Sequence, residues 1–415
     1  MTFCTTTIEM EIDKESHPRN VPPRTGHVCV YYNKYMMVWG GYANQNISNL
    51  QEAYLPPADI WLYNTDVGYW LKKETTGQCP PGTSGASACL FDHFMYLFAG
   101  HTRDGNVNTL YKLDLHTLEW GSVEAALDSD LPSPRDKCVC WVHQNRLHFF
   151  GGFCVPLDNY LKENGEFHAD IVGLRGWNNQ LLIFDLETKM WSNPHCKGQV
   201  PSSRAAHATA KAGNQVYLFG GRHIAERLND LHCLNLDTLT WTGPLVVTGN
   251  VPPGRSWHTF TLVSERQIFL YGGFDQMNNS LNDAWILDIV VLKWTKLDHY
   301  IEYKPHLWHT ACRTLEGQVV VFGGCTNNIL SLEEPTEHSN ELLIFSLNPL
   351  SLLRMCLDTV YKYKAWTYSD WAFLPKSLAT WLQMKNDVMM LDKKDNIGKE
   401  TRDTGQSVGT TCIVA

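Results

Sequence analysis

Val38-Trp39-Gly40-Gly41, Leu97-Phe98-Ala99-Gly100, Phe149-Phe150-Gly151-Gly152, Leu218-Phe219-Gly220-Gly221, Leu270-Tyr271-Gly272-Gly273 and Val321-Phe322-Gly323-Gly324 repeat one phrase, a short apolar run closed by glycine. Their last glycines lie 59, 52, 69, 52 and 51 residues apart. Each is followed by a loop, a second apolar run such as Leu231-His232-Cys233-Leu234-Asn235-Leu236-Asp237, and in five copies a tryptophan: Trp70, Trp120, Trp191, Trp241 and Trp294. A period near fifty means that each unit is one small supersecondary element, unable to bury its apolar faces except against its neighbours. The 415 residues therefore build one large repeat unit instead of two or three unrelated domains.

Composition agrees with strands. Fifteen Trp, 17 Tyr and 30 Gly suit short aromatic-rich strands joined by tight turns. Runs that stay apolar at successive positions are strands buried on both faces. A net charge of −9 argues against a nucleic-acid surface, which needs a basic footprint. The first residues carry acids where a signal peptide needs an apolar stretch, and no run approaches the roughly 18 apolar residues of a membrane span. The 13 cysteines form no C-x-x-C pair, so neither a disulfide framework nor a zinc ribbon is expected, and the cytoplasm and nucleus fit best.

With its glycine pairs and tryptophans, the repeat resembles the kelch motif, which implies an all-β fold: a six-bladed β-propeller whose tryptophans pack between blades. The sixth blade has Glu341–Phe345 but no tryptophan before Pro349. The alternating stretch Thr6–Ile12 is expected to supply its outer strand, so that residues 1–348 form the propeller. From last glycine to tryptophan takes 20, 20 and 21 residues in blades two, four and five, but 29 in blade one and 39 in blade three. Insertions confined to one loop position mark one face as the binding face. That loop carries Arg222 and Arg227 in blade four, and Arg175 and Trp177 in blade three. Before each blade a second motif recurs as Arg24-Thr-Gly-His27, Arg204-Ala-Ala-His207, Arg255-Ser-Trp-His258 and His306-Leu-Trp-His309. Histidines locked to a repeat position read as buried, hydrogen-bonded structural residues, so no metal and no cofactor is expected. Ser256 and Trp257 occupy slots that differ between blades and are expected to face the central opening.

After Pro349 the pattern becomes helical. Ser351 is a helix-start residue, and Leu352, Cys356 and Val360 fall at i, i+4 and i+8. Residues 349–390 are read as a helical appendage and 391–415 as a disordered polar tail. The Ser-Leu-x-x-x-Cys-x-x-x-Val spacing resembles a BC-box, the helix-in-groove element that binds elongin B–elongin C. Leu374-Pro375-Lys376-Ser377-Leu378 resembles a cullin-2 box. Together with the blades, these boxes are similar to those of the kelch domain-containing protein 2 and 1 family, over residues 24–382.

That resemblance implies a non-catalytic substrate receptor of a cullin-2 RING ubiquitin ligase, capturing proteins that end in Gly-Gly. Matched by motif, Arg222, Arg227 and Ser256 would hold the terminal carboxylate, while Lys137, Phe153, Trp177 and Trp257 would line the pocket. Phe153 departs from the family's tyrosine and removes one hydroxyl. Leu352, Cys356 and Val360 would engage elongin C, and Leu374, Pro375 and Leu378 cullin-2. A plain kelch scaffold, with the helices acting only as a cap, remains the alternative; a galactose-oxidase-type copper enzyme fits poorly with repeat-locked histidines. The chain ends Cys412-Ile413-Val414-Ala415, a C-a-a-X form that is farnesylated where it is recognised. The upstream residues are not polybasic, so the expectation is an unmodified tail, with membrane association only if Cys412 is prenylated.

Overall fold

The computed structural model describes residues 21–44, 52–156, 165–298 and 304–388. The chain divides into two compact units, Met1–Tyr63 with Trp70–Asn348, and Asn64–Tyr69 with Pro349–Ala415. The larger is a six-bladed propeller. Blade one holds Val28–Tyr32, Tyr35–Trp39, Asp59–Asn64 and Tyr69–Glu74, in antiparallel order. Blades two to five repeat this plan around Phe94–Phe98, Arg146–Phe150, Gln215–Phe219 and Gln267–Asp275. Blade six shows three strands among the described residues: Thr310–Arg313, Val319–Phe322 and Leu342–Phe345. The closing strand expected at 6–12, and the tail with Cys412, lie outside the described residues.

The blades are not purely antiparallel. In blades two, four and five the incoming connection adds a short parallel strand outside the tryptophan strand: Thr76–Gly77, Lys197–Gln199 and Thr248–Gly249. Each connection thus ties one blade to the next.

Packing between blades follows the repeat. In blades one to four the aromatic residue that ends the apolar run meets the outer tryptophan of the next blade: Trp39 with Trp120 at 5.3 Å, Phe98 with Trp191 at 4.9 Å, Phe150 with Trp241 at 5.0 Å and Phe219 with Trp294 at 5.1 Å; Tyr271 of blade five meets Phe345 of blade six at 4.8 Å instead. Phe322 of blade six meets Trp70 of blade one at 4.7 Å. Trp120, Trp241 and Trp294 are almost wholly buried, so truncating one to alanine costs about 3–5 kcal/mol.

The motif before each blade is structural, as expected. Buried Arg24, Arg135, Arg204 and Arg255 each donate to the carbonyl of the first glycine of their blade, and His306 takes the same role with Gly323 at 2.8 Å. Gly272 shows why glycine is needed there: φ is +62°, and a Cβ would lie 2.4 Å from the His306 carbonyl oxygen. Of the buried histidines, His27 and His309 bond threonine hydroxyls of the neighbouring blade. His207 and His258 depart from the expected hydrogen bonding: their ring nitrogens have no partner among the described residues, and the rings instead pack edge-on against Phe150 and Phe219.

The third residue of each motif closes the circle. Gly26, Gly85, Lys137, Ala206, Trp257 and Trp308 all have φ between 53° and 68°. Each N–H donates to the carbonyl of its counterpart one blade back: Gly85 to Gly26, Lys137 to Gly85, Ala206 to Lys137, Trp257 to Ala206 and Trp308 to Trp257, at 2.8–2.9 Å, and Gly26 to Trp308 at 3.2 Å. Six blades are therefore joined by a closed ring of backbone hydrogen bonds around the axis.

In the smaller unit, Ser351 caps the helix Leu352–Lys362 by accepting from the Arg354 N–H. Short turns at Lys364–Thr367 and Tyr368–Phe373 lead to a helix at 376–388. Leu357, Trp371 and Leu382 form its core, with Val360, Leu374, Leu378 and Trp381 packed on them.

Candidate functional site

A left-handed backbone is costly for any residue with a Cβ and is an outlier for bulky ones. Trp257 and Trp308 accept it in the axial ring, and both side chains line a cavity of about 350 Å³. Its walls come from equivalent slots of successive blades. The ring supplies Lys137, Ala206, Trp257 and Trp308, and the residue before the ring supplies Ser84, Asp136, Ala205 and Ser256. The residue after the glycines supplies Tyr42, His101, Phe153 and Arg222. Glycine at 26 leaves space for this arrangement, since a Cβ there would meet the Trp308 ring at 3.1 Å.

The described part of the blade-three insertion reaches this cavity through Arg175 and Trp177. Phe167–Ala169 and Gly176–Asn178 form a small antiparallel ribbon that continues onto Phe153–Cys154 and Arg135–Asp136. Trp177 sits directly opposite Phe153, edge to face at 5.0 Å, and Arg175 lies over the Phe153 ring at 5.5 Å. Trp257 and Trp308 stack at 5.2 Å.

Arg222 and Arg227 sit opposite each other on a two-stranded ribbon. Gln276 of blade five clamps that ribbon, accepting from the Arg227 N–H and donating to the Ala225 carbonyl. The Arg222 Nε donates to the Ile224 carbonyl at 2.9 Å, and its guanidinium lies over Trp177. Arg227 does not line the cavity surface, but its Nε donates to the Ser256 hydroxyl at 3.3 Å, and its guanidinium lies 4.5 Å from the Phe274 ring centre. Burial lowers the basicity of both. For Arg227 burial and the neighbouring Arg222 outweigh the opposing pull of Asp275 and bring the pKa to about 10.

Buried Arg24 and Arg135 bond only neutral groups, whereas two other buried arginines are neutralised in place. Arg204 is held by both oxygens of Asp230, and Arg255 by both oxygens of Asp283. The charge on Lys137 is likewise met by Asp136 beside it, whose second oxygen is buried without a partner among the described residues. Arg222 and Arg227 instead face each other. Like charges at directly opposed positions repel, and an anion placed between them would remove the penalty and gain charge-assisted hydrogen bonds.

The expected residues Lys137, Phe153, Trp177, Arg222, Ser256 and Trp257 thus come together around one cavity, with Arg227 one contact behind Ser256. Trp308, Tyr42, His101 and Asp136 belong to the same cavity and were not singled out in the sequence. Their signal was present, since each fills the same repeat slot as a residue that was.

On the helical unit, Leu352 is 77% exposed and Cys356 is also exposed. Val360, Leu374 and Leu378 are half-buried against the unit's own core, and Pro375 is exposed at the start of the last helix. Leu352 and Cys356 therefore present an outward apolar face, while the other three aliphatic residues contribute to packing.

Comparison with known proteins agrees with the propeller. The family model described as the KLHDC2/KLHL20/DRC7 Kelch-repeats domain matches residues 2–172, 171–324 and 243–355. Kelch domain-containing protein 2 of Bos taurus is 44% identical over 366 residues, covering 86% of this chain and 88% of the relative. Kelch domain-containing protein 1 of Mus musculus is 40% identical over 363 residues, with the same coverage. Kelch domain-containing protein 10 of Xenopus tropicalis is 26% identical over 361 residues, 83% of this chain and 80% of the relative. A solved structure, that of YjhT, superposes with a TM-score of 0.57 at 16% identity, covering 79% of this chain and 96% of that one; this likeness concerns the fold alone.

Proposed function

The chain belongs to the KLHDC2/KLHL20/DRC7 kelch-repeats family, and from that premise we propose that it is a substrate receptor of a cullin-2 RING ubiquitin ligase that captures proteins ending in Gly-Gly. One observation carries the reading: Arg222 and Arg227 are paired across a ribbon beside buried Ser256, at a cavity with aromatic walls. A chain terminus is the peptide group that offers a free carboxylate to such a pair. Planar guanidiniums hold it bidentately, and a hydroxyl can add a further bond. The stacked Trp257–Trp308 wall and the Phe153–Trp177 pair favour terminal residues without a Cβ. An internal Gly-Gly brings no charge and leaves the guanidiniums unmatched.

Assembly with elongin B–elongin C is assigned to the exposed Leu352–Cys356 face, and contact with cullin-2 to the segment around Pro375. The receptor itself performs no chemistry in this scheme; it brings substrate to the ligase. The test is binding of purified protein to peptides ending in Gly-Gly and to the same peptides extended to Gly-Gly-Ala, with co-purification of elongin C measured in parallel. Equal binding of both peptides rejects the receptor reading and leaves the kelch scaffold.

A further inference from the structure

In blades two to five the third strand ends in Asp or Asn, whose Oδ1 caps the following turn by accepting two backbone N–H groups: Asp114, Asp185, Asn235 and Asp288. In blades three and five the other oxygen of the aspartate takes an arginine, Arg146 on Asp185 at 2.8 Å and Arg266 on Asp288 at 2.6 Å. Blade two differs. Its Asp114 Oδ2 faces His93, whose Nε2 is 3.8 Å away, beyond hydrogen-bond length, and a second imidazole, His116, stacks on His93 at 4.6 Å with the rings 5° from parallel. The arginine of blades three and five is replaced by two imidazoles, and one ligand atom from each of His93, Asp114 and His116 lies within 4.8 Å of the other two.

We propose that His93, Asp114 and His116 bind a divalent transition-metal ion of the zinc class. The site lies at the turns between the strands of the blade, at the strand ends away from the glycine pairs. The outer partners match those of ligating histidines, which donate their second ring nitrogen to a neighbour. The His93 Nδ1 bonds the Asp92 carboxylate at 2.9 Å, leaving Nε2 as the lone-pair nitrogen. The His116 Nε2 bonds the Tyr32 hydroxyl of blade one at 2.6 Å, leaving Nδ1. Two imidazoles and one carboxylate suit zinc better than calcium or magnesium. Bond lengths of about 2.0–2.1 Å put tetrahedral ligand atoms roughly 3.3 Å apart, so the turns close by at most about 1.5 Å and the ring stack opens when the ion enters. A water completes the coordination.

The experiment is a titration of the full-length protein with zinc against a chromophoric chelator, repeated for Asp114→Asn and His116→Gln. Asparagine keeps the Oδ1 that caps the turn, as Asn235 does in blade four, so Asp114→Asn retains the fold and loses the anionic ligand. One equivalent of zinc in the wild type, weakened at least tenfold in each variant with melting in chelator unchanged, is expected. Cobalt loading should give weak visible bands without thiolate charge transfer. Zinc affinity equal in wild type and both variants, a thiolate band, or no zinc bound at micromolar concentration would each overturn the proposal.

Discussion

Replacing Arg227 with glutamine separates binding from stability, because the residue is close to neutral for the free protein and useful to the complex. In the complex, two unit charges about 4 Å apart at an effective dielectric of about 20 attract by about 4 kcal/mol. Half-burial of Arg227 and the desolvation of the incoming carboxylate reduce this, and truncating one member of such a pair typically costs about 2–5 kcal/mol. Arg222 remains in the variant, so the lower part of that range applies: about 2–3 kcal/mol, or roughly 30- to 150-fold in Kd. In the free protein the substitution relieves the opposed Arg222–Arg227 pair, worth about 0.2–1 kcal/mol. Against this it loses the Phe274 stacking, worth about 0.5–1 kcal/mol, and the long bond to Ser256. The net change stays within about 1 kcal/mol, a Tm shift of no more than a few degrees. Fluorescence anisotropy of a labelled peptide ending in Gly-Gly, beside thermal melting, reads both quantities. A folded Arg227→Gln protein binding within threefold of wild type would refute the carboxylate-clamp reasoning.

Three further outcomes are expected. The double change Leu352→Ala, Cys356→Ser should abolish capture of elongin B–elongin C in pull-down while peptide Kd and Tm stay at wild-type values, since both side chains are exposed. Phe153→Tyr restores the family hydroxyl at the cavity; one added hydrogen bond of about 0.5–1.5 kcal/mol should tighten the peptide roughly two- to tenfold, and unchanged titration calorimetry would show that position 153 does not meet the ligand. Burial depresses the pKa of His207 to about 3 and of His148 and His338 to about 4. The unfolded chain therefore binds more protons than the native state below about pH 6.5, and stability is lost as pH falls through that window, by up to about 1.4 kcal/mol per histidine per pH unit; the urea midpoint should drop between pH 7 and 5, and His207→Phe should flatten the slope.

The blades were legible because their burial is extreme: a strand covered on both faces shows as an unbroken apolar run, and Phe150 before Gly151-Gly152 announces both the strand and its end. Trp120, Trp241 and Trp294 could be assigned to packing from spacing alone. The axial ring was not legible, since its six members are as different as Gly26, Lys137 and Trp308, and what they share is a backbone conformation. The parallel strands such as Lys197–Gln199 were missed because they carry no hydrophobic pattern and exist only through pairing with the next blade. At the site, spacing placed Arg222 and Arg227 five residues apart without revealing that a two-residue turn at Ile224 and Ala225 sets them face to face. In the helical unit, the i, i+4, i+8 pattern grouped Leu352, Cys356 and Val360 on one face, yet Val360 turns toward Leu357 and Trp371 while the other two stay exposed, a division only the packing partners decide.

The measurement that bears most directly on the central claim is calorimetric titration of the purified protein with one peptide ending in Gly-Gly, in its free-acid form and with its terminus amidated. The two differ by one negative charge and nothing in sequence. A receptor that reads the carboxylate through Arg222, Arg227 and Ser256 binds the acid at least 30-fold more tightly, a difference of about 2 kcal/mol or more. Binding should hold steady from pH 6 to 8.5, because the guanidiniums stay protonated throughout. Equal affinity for acid and amide would contradict the account.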